Sequence, residues 1–199
     1  MPRNFLKPIN PRQHNPAPKR KKVTHHFEVK DFYYWEAKRN GFRARSAFKL
    51  LEIQEKFNLI KSGMNVLDIG AAPGSFLQVI HSIIKDTGVI VGVDIQKIES
   101  LGYPNLHLFQ HDVFDTEKLL ERIEWVGVKQ FDLMTSDIAP STTGMPGVDQ
   151  YRSVELNLAI VEVADVYLKR GWNLILKVFI GEDVNDLIWP VKDRYKELK

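Results

Sequence analysis

Three charged side chains lie where chemistry needs them. Asp137 follows an apolar and small-residue run (FDLMTS), Lys177 interrupts another (LILKVF), and Lys49 sits in SAFKLLEI. A lone lysine in an apolar run is costly to bury unless it is paired. Asp137 and Lys177 are therefore read as facing one pocket, with Lys49 as a second ammonium beside them. Amines and a carboxylate in that combination suit proton transfer from a weakly acidic group, which needs a base positioned at the proton it removes.

A second constellation is a ligand loop. In Leu67–Phe76 (LDIGAAPGSF) a strand runs into small residues and then a helix. Small residues let a ligand approach the backbone, and a helix start offers free N–H groups. Asp94, twenty residues after Gly74, ends the next apolar run and is placed to accept from a ribose diol, which suits an adenosine-type ligand. The loop is G-x-x-x-G with proline inside, so it matches neither the dinucleotide fingerprint G-x-G-x-x-G nor the phosphate loop G-x-x-x-x-G-K-[ST]. S-adenosyl-L-methionine carries an adenosine and no pyrophosphate, and fits best.

The elements that must position these groups follow from apolar period. Helical spacing is expected over about 31–58, divided at Gly41, from apolar and aromatic positions that recur every three or four residues: Phe32, Trp35, Ala47, Leu50, Leu51 and Phe57. Strands are expected at 64–69, 88–95, 106–109, 131–136 and 172–179. Helices are expected at 74–85, 116–124, 151–169 (closed by Gly171) and 183–199, the last interrupted at Pro190, with 138–150 a loop. Strands alternating with helices, and apolar nearly throughout, imply a mostly parallel sheet covered on both faces.

Charge is unevenly spread over the 199 residues. Seven of the 28 Lys and Arg and none of the 25 Asp and Glu lie in residues 1–22, leaving 21 bases against 25 acids in the rest. Five of ten prolines fall in the first 18 residues, so residues 1–30 read as a disordered basic arm attracted to polyphosphate, or as a solvated tail without a specific partner. No signal peptide or 18-residue apolar run is present. Cysteine is absent, which excludes disulfides and thiolate chemistry and suits a reducing compartment, the cytoplasm. The six histidines show no ligand spacing, so no metal is expected. Lys38, Arg39, Arg43 and Arg45, interleaved with Phe42 and Phe48 and preceded by Tyr33, Tyr34 and Trp35, have the composition of an RNA-binding surface.

LDIGAAPGSF, with SAFKL upstream and SDIAPSTTG and LILKVFIG downstream, resembles the FtsJ/RrmJ family of RNA ribose 2′-O-methyltransferases over about residues 31–190. The resemblance assigns Lys49, Asp137 and Lys177 to a Lys-Asp-Lys-Glu tetrad with Lys177 as proton acceptor. It also puts Gly70, Gly74, Phe76, Asp94, Asp112 and Asp137 around S-adenosyl-L-methionine, Asp112 having the chemistry to accept from the adenine amino group. Phe76 stands where the family usually has Trp, and Ser75 where it has Gly. The family's tetrad Glu belongs to a C-terminal strand pair past Lys199, and Glu197 does not match its motif.

The expectation is thus one Rossmann-like methyltransferase domain over 31–199, lacking its last strands. It acts on an RNA ribose 2′-OH, ribosomal RNA first, as a monomer with no membrane or metal. A tRNA methyltransferase and an RNA-binding protein without turnover remain as alternatives. Local alternatives remain too: a turn cap for Asp137, a snorkelled ammonium for Lys177, a helix cap for Asp112 and a solvated face for Lys49. Deleting residues 1–22 is expected to weaken RNA binding and flatten its salt dependence in filter-binding titrations. An unchanged slope would reduce the arm to a passive tail.

Overall fold

The computed structural model describes residues 25–199, with side chains from Phe32 onward. Residues 1–24 of the expected basic arm lie outside the described residues, and residues 25–30 belong to a helix rather than to the arm. The elements run α1 (His25–Arg39), α2 (Ala47–Phe57), β1 (Val66–Ile69), α3 (Ser75–Ile84), β2 (Ile90–Asp94) and β3 (Leu106–Gln110). They continue with α4 (Thr116–Trp125), β4 (Phe131–Ser136), α5 (Pro146–Tyr167), β5 (Leu168–Leu176) and α6 (Val184–Arg194).

The five strands form one sheet in the order β3-β2-β1-β4-β5, every pair parallel. Parallel strands need helical crossovers, and these bury the sheet on both faces. Alternation along each strand divides the core accordingly. Val66, Ile90 and Leu133 pack with α2 and α3 through Ala47, Leu50, Phe76, Leu77 and Ile80. Leu67, Ile69, Val91, Val93 and Met134 pack with α4 and α5 through Leu119, Ile123, Ile160, Val163 and Tyr167. Each Val, Leu, Ile, Phe or Met side chain so removed from water contributes about 1.5–3 kcal/mol before chain entropy is counted. A small third cluster, Val154, Val161, Leu187 and Val191, seats α6 on α5.

Differences from the sequence expectation have local causes. α1 buries Ala37 but leaves Phe32 and Trp35 more than half exposed. The run Phe32–Trp35 puts aromatics all around the helix, so they cannot all face inward. α1 closes at Gly41 (φ +75°), where Phe42 N–H reaches back to the Ala37 carbonyl at 2.8 Å. α5 begins at Pro146, five residues before the expected start, because proline is tolerated in a first helical turn. It ends at Tyr167. Gly171 (φ +81°) instead lies in a break of register between the pairs Phe131–Leu168 and Leu133–Asn173. α6 runs through Pro190 and stops at Arg194. Among the described residues no helix is long and apolar enough to cross a membrane.

The entry to β2 is set backbone against backbone. A Cβ on Gly88 would come within 2.0 Å of the Met64 carbonyl oxygen. Gly88→Ala is expected to destabilise the fold by about 3 kcal/mol in urea unfolding. An unchanged midpoint would show that the two segments separate freely.

Candidate active site

Register decides what shares an edge. Ile69 pairs with Val93 on one side and Ser136 on the other, and Ser136 pairs with Leu176. The residues that follow these level positions, Gly70, Asp94, Asp137 and Lys177, emerge together at the carboxyl ends of the strands. β1 lies between β2 and β4, so the strand order reverses here and a crevice opens, as at the ligand sites of open α/β sheets. A roomier cleft of about 450 Å³, lined by Glu124, Gly127, Val128, Lys129, Val166 and Tyr167, lies at the opposite ends of β4 and β5. It holds none of the expected site residues.

Lys49 and Lys177 converge on one atom. Both ammonium groups lie 3.1 Å from Asp137 Oδ1, and Lys177 Nζ also donates to the Asp137 carbonyl at 2.5 Å. Lys49 comes from the first turn of α2, where Ala47 and Leu50 are buried and leave the lysine facing the crevice. The turn after β4 is closed by Ser136, whose Oγ accepts from Ile138 N–H at 3.2 Å, so Asp137 is not its cap. Lys177 is held at Asp137 rather than extended into solvent. Glu197 pairs with Lys199 at 3.2 Å.

The glycine loop lies beside this cluster. Gly70, Ala71, Ala72, Ser75 and Phe76 line a small cavity with Ser46 and Asp137. Gly70 has φ +77°, and a Cβ there would lie 2.8 Å from Ile138 Cβ, so only glycine fits. Ser46 Oγ and Ser75 Oγ lie 2.7 Å apart, at the starts of α2 and α3, a pairing that sequence reasoning did not single out. Asp94 ties loop to strand: Oδ2 accepts from Ala72 N–H at 2.9 Å and Oδ1 from Gln96 N–H at 2.7 Å. Each oxygen keeps a lone pair for a ligand. Asp112 is exposed and accepts from Phe114 N–H at 3.1 Å, while Asp115 occupies the start of α4, so Asp112 is not that helix's cap. Asp149, in the first turn of α5, accepts from Thr143 N–H at 2.7 Å and shapes the loop that follows Asp137. The same backbone N–H holds its carboxyl below the usual value.

The basic residues of the N-terminal quarter do not all share one face. Lys38 is exposed, its Nζ 4.8 Å from the Tyr34 ring centroid and 5.6 Å from that of Trp35. Arg39 is exposed and pairs with Glu36 at 3.5 Å, and Arg45 is exposed. Arg43 departs from the expectation. Its half-buried guanidinium donates to backbone carbonyls of two neighbouring loops, so it is engaged within the chain where the other three are exposed. Among the described residues no cluster of His, Asp and Glu is arranged to hold a metal ion.

The sequence model of the family described as FtsJ-like methyltransferase matches residues 42–199. A curated relative from Anaeromyxobacter sp. (strain Fw109-5), named Ribosomal RNA large subunit methyltransferase E, is 40% identical over 172 residues; the match covers 86% of this chain but 62% of the relative. A protein of the same name from Pseudomonas fluorescens (strain Pf0-1) is 36% identical, with 86% of this chain and 81% of the relative covered. The crystal structure of a ribosomal RNA methyltransferase from Plasmodium falciparum superposes with a TM-score of 0.74 at 27% identity, covering 79% of this chain and 90% of that one.

Beneath the site, Asp68 of β1 is buried; Oδ1 accepts from the Thr135 hydroxyl at 2.7 Å and Oδ2 has no partner. Burial pushes its pKa from the ordinary 3.8 up to about 8, the Thr135 bond opposing and Asp137 and Asp94 adding to the rise. Between those values the folded chain holds a proton that the unfolded chain has lost, so this group makes stability fall as pH rises from about 4 to about 8. Asp68→Asn is expected to flatten that decline in thermal melts across the range. An equally steep decline in the variant would place the titration elsewhere.

Proposed function

The chain belongs to the FtsJ-like methyltransferase family, and on that premise we propose that it methylates a ribose 2′-hydroxyl of ribosomal RNA, with S-adenosyl-L-methionine as methyl donor. The observation that carries the reading is the convergence of Lys49 and Lys177 on Asp137, next to the glycine loop and level with Asp94.

The residues at the crevice suit that donor. Gly70, Ala71 and Ala72 keep the loop backbone open to close approach. Asp94, already oriented by Ala72 and Gln96, retains acceptor capacity for a ribose diol. Asp112 has a carboxylate free on one side for an amino group, and the Ser46 and Ser75 hydroxyls can donate to a carboxylate. Asp94 and Asp112, which form no ion pair among the described residues, also favour a ligand with positive charge. When bound, the donor supplies an electrophilic methyl on a sulfonium.

The chain's own part is alignment and proton removal. Holding acceptor and donor in line supplies several kcal/mol of the barrier reduction. Lys177, gripped by the Asp137 carbonyl and carboxylate, has Nζ fixed at the strand ends, and as the free amine it takes the 2′-hydroxyl proton. Asp137 orients it, and Lys49 shares the carboxylate so that the negative charge is not Lys177's alone. Lys38, Arg39 and Arg45 face solvent and suit phosphate contacts, with Tyr34 and Trp35 available for stacking.

Lys177→Ala is expected to lower methyl transfer by at least about a hundredfold while leaving donor affinity within about threefold, since the lysine lies on the acceptor side. Transfer of labelled methyl to large-subunit ribosomal RNA from unmethylated cells, followed by nuclease digestion and nucleoside analysis, reads the first. Calorimetry reads the second. Label on a base, or retained turnover in the variant, would overturn the assignment.

A further inference from the structure

Arg43 lies within a cationic stretch, yet its half-buried side chain is committed to backbone carbonyls of the chain itself. It belongs to the turn between α1 and α2, and α3 holds that turn at its root: Arg43 N–H donates to Gln78 Oε1 at 2.8 Å and Gln78 Nε2 donates to the Gly41 carbonyl at 2.8 Å. From this base the guanidinium spans two other segments. Nη1 donates to the Pro73 carbonyl at 2.9 Å and the Glu99 carbonyl at 2.5 Å, and Nη2 donates to the Ser100 carbonyl at 2.8 Å. Pro73 is in the glycine loop, and Glu99 and Ser100 lie beyond Asp94 at the end of β2. An ideal Cβ on Gly74 would sit 3.2 Å from both Arg43 Nη1 and Leu101 Cδ1, so the fork also packs against the glycine itself.

We infer that Arg43 is a positioning residue of the donor site, its planar fork clipping the glycine loop to the segment after β2 and thereby fixing the two walls that carry Gly70–Gly74 and Asp94. The inference rests on the donor reading above and adds a residue with no place in the methyl-transfer step. Three carbonyls on two segments need a rigid multi-donor fork. A lysine ammonium is a compact point charge and does not span them. A phosphate contact, by contrast, is largely kept by lysine. Asp94 is the second tie between the same walls, through Ala72. The α1–α2 turn is therefore joined to the donor loop by a side chain.

The test compares wild type, Arg43→Lys, Arg43→Gln and, as a charge-matched control, Arg122→Gln on the exposed face of α4. Calorimetry with S-adenosyl-L-methionine is expected to show both Arg43 variants weakened at least about tenfold and the control unchanged. Under saturating RNA, KM for the donor is expected to rise while kcat stays within about threefold. Hydrogen exchange is expected to quicken at 70–75 and 96–102 in the Arg43 variants, with β1 and β4 protected as in wild type. Wild-type donor affinity in Arg43→Lys, or unchanged exchange in both segments, would overturn the inference. So would faster exchange throughout the chain, which would make Arg43 a general stability residue. A wild-type protein that binds no donor would overturn the functional reading instead, and the exchange comparison would still decide the clip.

Discussion

One carboxylate oxygen shared by two ammonium groups is the constraint on which the site depends. Lys49 and Lys177 repel each other, and only Asp137, at 3.1 Å from both, makes their approach favourable. Such a cluster persists only where its members are delivered by rigid elements, because an exposed pair on flexible chains contributes little. Here a strand end delivers Asp137, the next strand end delivers Lys177, and a helix buried through Ala47 and Leu50 delivers Lys49. Breaking the register between β4 and β5 by one residue would turn Lys177 to the other face of the sheet.

The surrounding architecture keeps the crevice open and its walls in place. The loop from Gly70 to Gly74 has little side-chain bulk to hold it, so its position comes from ties made by others. Asp94 takes Ala72 N–H, Arg43 takes the Pro73 carbonyl, and the Ser46–Ser75 pair joins the starts of α2 and α3. Below them, Asp68 and Thr135 link β1 to β4 inside the core, at the cost of one unpartnered carboxyl oxygen. Such groups are retained where position matters more than stability.

Much of the fold was legible along the chain. The apolar runs of β1, β2, β3 and β4 have clear flanking turns, and their observed spans match the expected ones to within two residues at each end. The start of α5 was not legible: Pro146, Gly147 and Asp149 read as loop residues, yet a first helical turn accepts proline and an acidic side chain. The end of α5 was missed for the converse reason, since Gly171 serves a register break inside β5 rather than a helix terminus. At the site, Lys177 was legible as a charge out of keeping with its apolar neighbours and Asp137 by its place at a strand end, whereas Lys49 was legible only through the family resemblance. Ser46 was not, because nothing in its own surroundings in the chain distinguishes it; Asp68 passed as part of an apolar strand run, and the basic and aromatic neighbours of Arg43 pointed to RNA rather than to the glycine loop.

By itself the amino-acid sequence determined what depends on near neighbours: strand and helix periods, the small-residue loop between β1 and α3, and the family resemblance carried by four short motifs. The tertiary structure decided what depends on distant ones. Lys49 and Asp137 are 88 residues apart, Asp68 and Thr135 67, and Arg43 and Ser100 57. A side chain's charge is written in the sequence, but whether it meets a carboxylate, a carbonyl or water is fixed only when the sheet brings separated strand ends level.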